Sequence, residues 1–311
     1  MKKVLIFGIG GFVGRYLTRE FKNHGYHVWG SDITPLAWHD NDVFFSTADL
    51  LDFEQIRKLI MSVSPDCIVN LAAISSVGQS WKIPQTTFSV NVIGPLNILQ
   101  AAKECEVSPR VMFIGSSEEY MLSELPISEE TPLNANNPYG ISKMTQERLA
   151  SLYRSEYGMK VYCVRAFNHT GIGQRDSFVL PSWCKQAAEI ELSGRPGTML
   201  VGNLEAERDF SDVRDIVRAY RMIIESEDCS VIYNVGSGKS IALRHMLEWI
   251  VSLSKQKIEV KIDESRIRPT DTKRICCDNT LIKEKLGWKP EFEIFDTLKE
   301  MFEFYEHDHE K

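Results

Sequence analysis

Apolar residues in the first half of this chain fall into two alternating patterns. Short unbroken runs occur at 4–7, 27–30, 67–70, 111–114 and 161–165. Between them lie longer stretches of mixed polarity near 12–24, 52–62, 84–107 and 138–157, each long enough for a helix. A short run without polar alternation suits a strand buried on both faces, and strands separated by helices imply βαβ units. Right-handed crossovers then predict an α/β fold built on a doubly wound parallel sheet of the Rossmann kind.

Beyond Arg165 the rhythm loosens. Residues 167–173 read as a polar, glycine-containing loop, 178–193 as an amphipathic helix, 198–201 as a short strand and 202–210 as a loop. The stretch 212–225 reads as a helix, and 231–235 as a further strand of the main sheet. A helix near 242–255, an extended piece at 258–262 and two closing helices complete the chain, with 306–311 expected to fray. This order predicts a main domain of 1–166 plus about 211–236. A smaller, discontinuous C-terminal domain takes about 167–210 plus 237–311.

Composition narrows the class. Hydrophobic residues make up 43% and charged residues 25%, an ordinary globular balance, and the net charge of −7 argues against a nucleic-acid partner. Lys2 and Lys3 before an apolar run imitate a signal peptide, but a glycine turn follows at once and no small-x-small cleavage site is present. No apolar stretch reaches membrane-spanning length. Cys67, Cys105, Cys163, Cys184, Cys229, Cys276 and Cys277 are odd in number and lack metal-ligand spacing. They read as free thiols of a protein kept in the reducing cytoplasm.

The first run leads into Gly8-Ile9-Gly10-Gly11-Phe12-Val13-Gly14 and then a helical stretch. Glycines at 8, 11 and 14 let the backbone turn sharply and approach a pyrophosphate held at the helix N-terminus. Phe12 and Val13 belong to the same turn. Asp32, about twenty residues on, closes the second run, where a carboxylate accepts from a ribose diol and repels a 2′-phosphate. It is also an ordinary turn residue, so NAD(H) is favoured and NADP(H) stays open. Asp49-Leu50 and Leu71-Ala72-Ala73 lie on the same strand-end edge and are candidates to line adenine and ribose.

A second constellation carries chemistry. Tyr139 and Lys143 stand four apart at the start of a predicted helix, hence on one face. A nearby ammonium favours the phenolate, and such a tyrosine exchanges a proton with a carbinol oxygen as hydride moves. Such a pair arises by chance, but Ser116, at the end of the fourth predicted strand in Ser116-Ser117-Glu118-Glu119-Tyr120, adds a hydroxyl able to polarise the same oxygen. Gly turn, strand-end serine and Tyr-x-x-x-Lys in that order form a specific set.

With these motifs the chain resembles the extended short-chain dehydrogenase/reductase superfamily from end to end. The resemblance implies Tyr139 as acid/base, Lys143 as the residue that lowers its pKa and holds the nicotinamide ribose, and Ser116 as the third member. Met121 stands where the family usually has glycine. Arg165-Ala166-Phe167-Asn168-His169-Thr170-Gly171-Ile172-Gly173-Gln174 and the run from Gly202 to Asp215, GNLEAERDFSDVRD, look like the branch acting on GDP-mannose derivatives. That likeness implies a GDP-sugar site at Ser117, Glu118, Asn168, Val179, Asn203, Arg208, Arg268 and Asp271. The arginines would clamp phosphate oxygens and Asp271 would meet the GDP ribose. His169 reads equally as a sugar contact or a hydrogen-bonded structural residue.

The branch holds 4-keto reductases and 4,6-dehydratases. Glu118 fits the Thr-x-Glu base of a dehydratase. The SSEEY run, His169 and the chain length look more like a reductase, which would convert GDP-4-keto-6-deoxy-D-mannose to GDP-D-rhamnose or its C4 epimer, GDP-6-deoxy-D-talose. A non-enzymatic NAD(P) sensor is the remaining alternative, against which the intact Ser116, Tyr139 and Lys143 speak. Relatives pair through two long helices, here 84–107 and 138–157, so the resemblance implies a homodimer. Neither a metal nor a membrane partner is expected.

Overall fold

The computed structural model describes residues 2–38, 40–104, 108–266 and 273–308. Strands β1 (Lys3–Phe7), β2 (His27–Asp32), β3 (Val43–Thr47), β4 (Cys67–Asn70), β5 (Arg110–Ser116) and β6 (Val161–Ala166) come first. They are followed by β7 (Asn168–Thr170), β8 (Gly197–Val201), β9 (Glu207–Asp212), β10 (Tyr233–Val235), β11 (Ser240–Ala242) and β12 (Ile258–Ile262). Seven strands form one sheet in the order β10-β6-β5-β4-β1-β2-β3, each neighbouring pair parallel. The chain reverses its direction of winding between β1 and β4, which opens a crevice at the carboxyl ends of those strands. This is the doubly wound α/β sheet that the apolar runs predict.

Those runs are continuous because each face of the sheet is covered. Val4, Ile6, Val28, Val69, Met112 and Val164 point into one core with helices Phe12–Asn23 and Val213–Glu225. Leu5, Phe7, Ile68, Val111, Phe113 and Val161 point into the other, against Phe53–Val63, Gly94–Lys103 and Pro138–Tyr157. A third core gathers Trp183, Met199, Met246, Ile250, Leu298 and Phe302 from helices Val179–Ser193, Leu243–Leu253 and Ile294–Asp308 and the β8–β12 pair. A small sheet, β11-β9-β7, adjoins it. The C-terminal segment is shared between cores, since Ile282 and Trp288 pack into the first.

Several elements differ from the sequence expectation. The expected loop 202–210 gives way to β9 from Glu207, and the loop 167–173 contains β7. β9 reads ERDFSD, yet Asp209, Ser211 and Asp212 are buried, so hydropathy conceals the strand. β3 escaped notice because it is half-exposed at the sheet edge. The expected helix 84–107 is Pro84–Phe88, a π-turn at Ser89–Ile93 and Gly94–Lys103, with a short helix, Val77–Lys82, before it. Cys67, Cys163, Cys184, Cys276 and Cys277 are buried free thiols, Cys229 is a partly exposed one, and Cys105 lies outside the described residues. No described helix is long and apolar enough to cross a membrane.

Candidate active site

The glycine turn after β1 is held by contacts that exclude a side chain. Gly8 has φ +76°, and a Cβ on it would come within 2.5 Å of the Ala72 backbone nitrogen. Its N–H donates to the Ser31 carbonyl at 2.8 Å. A Cβ on Gly14 would overlap the Ile9 carbonyl. Gly11 caps the following helix without a side-chain acceptor, and no acidic residue lies in its first turn. The unbonded amides at that end are therefore offered to an anion, which fits a pyrophosphate.

Asp32 stands at the end of β2 beside this turn. Its carboxylate accepts the Gly10 N–H at 3.0 Å and the Ile33 N–H at 2.8 Å. It therefore braces the turn. Asp49 accepts the Leu51 N–H at 2.9 Å, and Leu50 is buried against Gly94. Leu71, Ala72 and Ala73 follow β4, partly buried, with Ala72 backing Gly8. Val13 packs on the first core. Phe12 packs edge-on to Tyr16 and stacks on His169, ring centroids 6.3 Å apart.

The catalytic candidates meet where β5 ends. Ser116 closes the strand, and Ser117–Glu119 form one 3₁₀ turn whose Glu118 N–H reaches Ser116 Oγ at 3.2 Å. Helix Pro138–Tyr157 begins opposite, with proline at its first position and Asn137 Oδ1 accepting the Gly140 N–H at 2.9 Å. Asn137 Nδ2 also donates to Glu118 Oε2 at 2.9 Å, tying helix start to turn. Gly140 allows that approach, since a Cβ there would overlap the Glu118 carbonyl. Tyr139 is thereby brought near the Ser116 hydroxyl. Lys143 Nζ lies 5.9 Å from the Tyr139 ring centroid and donates to the Ile114 carbonyl at 2.7 Å.

The π-turn supplies a further brace. Asn91, fully buried, exchanges hydrogen bonds with the Ile74 backbone at 2.8 and 3.1 Å and donates to Ser142 Oγ at 2.9 Å. Ser142 in turn donates to the Tyr139 carbonyl at 2.6 Å. Burial pushes the Tyr139 phenol up from its usual range, opposed by the nearby Ser116 hydroxyl and reinforced by the charges of Glu119 and Glu118. Burial likewise brings Lys143 down to about 8.

On the far side of Ser116, Ser117, Glu118, Met121, Asn136 and Ile275 line a narrow cleft. Asn168 pairs in register with Phe210, which sets Arg208 two positions along β9. Arg208 donates to its neighbour's carbonyl, that of Glu207, at 2.9 Å. Asn203 accepts the Glu205 N–H at 2.9 Å, and Val179 opens its helix. Arg268 and Asp271 lie outside the described residues. His169 Nδ1 lies 3.0 Å from the Phe167 carbonyl, and burial pushes its pKa down, which favours the structural reading of this residue.

Sequence reasoning missed Asn91, Asn137 and Glu119. Asn137 carried a signal, an N-cap residue directly before proline. Asn91 and Glu119 acquire their surroundings only from distant segments.

Fold and site together define an enzyme of the extended short-chain dehydrogenase/reductase class. The sequence matches the GDP-mannose 4,6 dehydratase family over residues 5–301, and the chain belongs to that family. It is 29% identical to a GDP-6-deoxy-D-mannose reductase of Pseudomonas aeruginosa, across 98% of this chain and 97% of that one. A GDP-mannose 4,6-dehydratase of Yersinia enterocolitica is 28% identical, across 97% and 93%. Among solved structures, RMD from Pseudomonas aeruginosa complexed with NADPH superposes with a TM-score of 0.86 at 28% identity, covering 99% of this chain and 98% of that one. UDP-glucose 4-epimerase from Thermus thermophilus in complex with NAD gives 0.86 at 25% identity, covering 98% and 99%.

Proposed function

We propose that this enzyme reduces the C4 ketone of GDP-4-keto-6-deoxy-D-mannose, giving GDP-D-rhamnose or GDP-6-deoxy-D-talose. The observation that carries this reading is Ser116 at the end of a central strand beside Tyr139, with Lys143 one helical turn on and its Nζ 5.9 Å from the Tyr139 ring centroid. Its setting in a chain similar over nearly its whole length to a GDP-6-deoxy-D-mannose reductase supports the choice of substrate.

A bound reduced nicotinamide dinucleotide supplies the hydride. Gly8, Gly11 and Gly14 admit its pyrophosphate to the helix N-terminus, Asp32 faces a ribose diol, and Lys143 holds the nicotinamide ribose. Asp32 favours NAD(H), and the NADPH in the Pseudomonas aeruginosa relative keeps NADP(H) open. Ser116 donates towards the ketone oxygen, and Tyr139 gives it a proton as the carbinol forms. The positive Lys143 stabilises the resulting phenolate until solvent restores the proton. In this reading 1–166 plus about 211–236 serve the dinucleotide, and about 167–210 plus 237–311 serve the GDP-sugar. Ser117, Glu118, Asn168, Val179, Asn203 and Arg208 then contact the GDP-sugar. Exposed Phe88, Ile93, Leu152 and Tyr157 on the two long helical stretches support a homodimer.

A second reading is dehydration of GDP-mannose, favoured by Glu118 on the cleft, where a carboxylate serves as base. One experiment separates the two. Purified protein is mixed with the 4-keto sugar nucleotide and NADH, then NADPH, while reduced-nicotinamide absorbance is followed. Stoichiometric loss is the expected result. No loss, together with conversion of GDP-mannose to a 4-keto product by co-purified cofactor, transfers the assignment to a dehydratase.

A further inference from the structure

Glu119 lies beneath the proposed catalytic residues and takes no part in the proton transfer just described. Its side chain is 0% exposed. Oε1 accepts the Ser116 backbone N–H at 2.7 Å, and Oε2 is buried with no hydrogen-bond partner among the described residues. Gly115 makes room for it, because a Cβ there would overlap Oε1. A buried carboxylate with one unsolvated oxygen is costly, so such a group needs either a counter-charge or a proton.

The groups facing it come from two elements. Helix Pro138–Tyr157 contributes Lys143 and Glu147, and β6 contributes Arg165. Cys163, also on β6, adds to the field at Lys143. Arg165 and Glu147 already neutralise one another through a fork of 2.7 and 2.9 Å. The cation left to act on Glu119 is Lys143, whose Nζ donates to the Ile114 carbonyl and which bears on Glu119 through its charge. Tyr139 is exposed to the charges of both Glu119 and Glu118.

From this arrangement we propose that Glu119 is a positioning residue, holding Ser116 through its main chain and governing by its own charge the ionisation of Lys143 and Tyr139. The proposal rests on the reductase reading only in taking Tyr139 as the proton donor. Burial moves both partners towards neutrality, Glu119 up to about 8 and Lys143 down to about 8. At lower pH Glu119 is neutral and Lys143 charged. As Glu119 ionises, its negative charge favours the protonated forms of Lys143 and Tyr139, so each gives up its proton at a higher pH than it would beside a neutral side chain. The ionised carboxylate thus extends towards alkaline pH the range in which Tyr139 has a proton to give.

The test compares wild type with Glu119→Gln, which keeps the shape and the acceptor for Ser116 but not the charge. Lys143 is titrated in the free protein by the ε-carbon NMR shift of isotopically labelled lysine, assigned with Lys143→Arg. The midpoint should fall by about one pH unit in the variant, the shift expected from losing a nearby opposite charge. An unmoved midpoint overturns the proposal. Glu119→Leu is the second variant, with the same expected direction. Should neither fold, infrared difference spectra of the wild type must show a buried protonated carboxyl at neutral pH that ionises in step with Lys143. Absence of that band also overturns the proposal. In ketone reduction the alkaline limb of the kcat/KM profile should move down with the Lys143 midpoint, whereas a purely structural role lowers kcat/KM equally at every pH. If the wild type reduces no ketone, the reductase reading fails alone, and the Lys143 titration still decides this one.

Discussion

Burial resists the ionisation of Tyr139, while the Ser116 hydroxyl lies beside its phenol and Lys143 stands one turn away. Replacing it with Phe keeps the ring and removes the transferable proton. Ketone reduction by Tyr139→Phe should fall by about 10²–10⁴-fold, the usual contribution of a positioned general acid. Steady-state kinetics measure the loss, and the rise in Tm on adding cofactor should persist. Gly8 makes a different demand. Its φ of +76° and the neighbouring Ala72 backbone leave no room for a methyl group. Gly8→Ala should cost about 1–3 kcal/mol in chemical denaturation from backbone strain, and should weaken dinucleotide binding measured by calorimetry.

At the level of elements, the site depends on how β5, β6 and helix Pro138–Tyr157 are locked together. Arg165 on β6 is 5% exposed and forks onto Glu147 of the helix at 2.7 and 2.9 Å. It also donates to the Tyr120 hydroxyl at 2.8 Å, and Tyr120 donates to Asn234 of β10 at 2.6 Å. Arg165→Met removes the cation and leaves Glu147 buried and unpaired. Breaking such a pair from one side costs about 3–5 kcal/mol, to be read from urea denaturation midpoints. A loss below about 1 kcal/mol would show that water solvates Glu147 once the arginine is gone.

For the whole molecule the buried carboxyl of Glu119 links folding to pH. Its pKa rises from 4.5 to about 8 on folding, so between those values the folded chain binds more protons than the unfolded one. Its contribution to stability is full below 4.5 and is lost as pH rises through about 8. Lys143, shifted down to about 8, has the opposite sense above that pH. The Tm of Glu119→Gln minus that of wild type should therefore increase steadily from about pH 5 to pH 8. A constant difference across that window would mean that Glu119 is ionised throughout.

Much of this architecture is legible in the chain itself, and the reason is local. A strand buried on both faces must be apolar at consecutive positions, so Leu5, Ile6 and Phe7 announce a covered parallel sheet without reference to their neighbours. The spacing of Tyr139 and Lys143, and of Gly8, Gly11 and Gly14, likewise follows from helix and turn geometry. What tertiary structure alone decided is the partnership of buried polar groups. In the run ERDFSDVRD, Asp209 accepts from Ser237, Gly238 and Cys277; Asp212 accepts from Thr297; and Asp215 accepts from the backbone of Glu291 and Phe292. The sequence marked this stretch as a signature of the family branch, whereas in the fold its aspartates fasten the C-terminal segments to β9 and the helix after it. Glu119 and Asn91 belong with them. Hydropathy reports a side chain's preference for water, but a buried acid or amide is stabilised by donors and acceptors from distant segments, and folding alone brings those within reach.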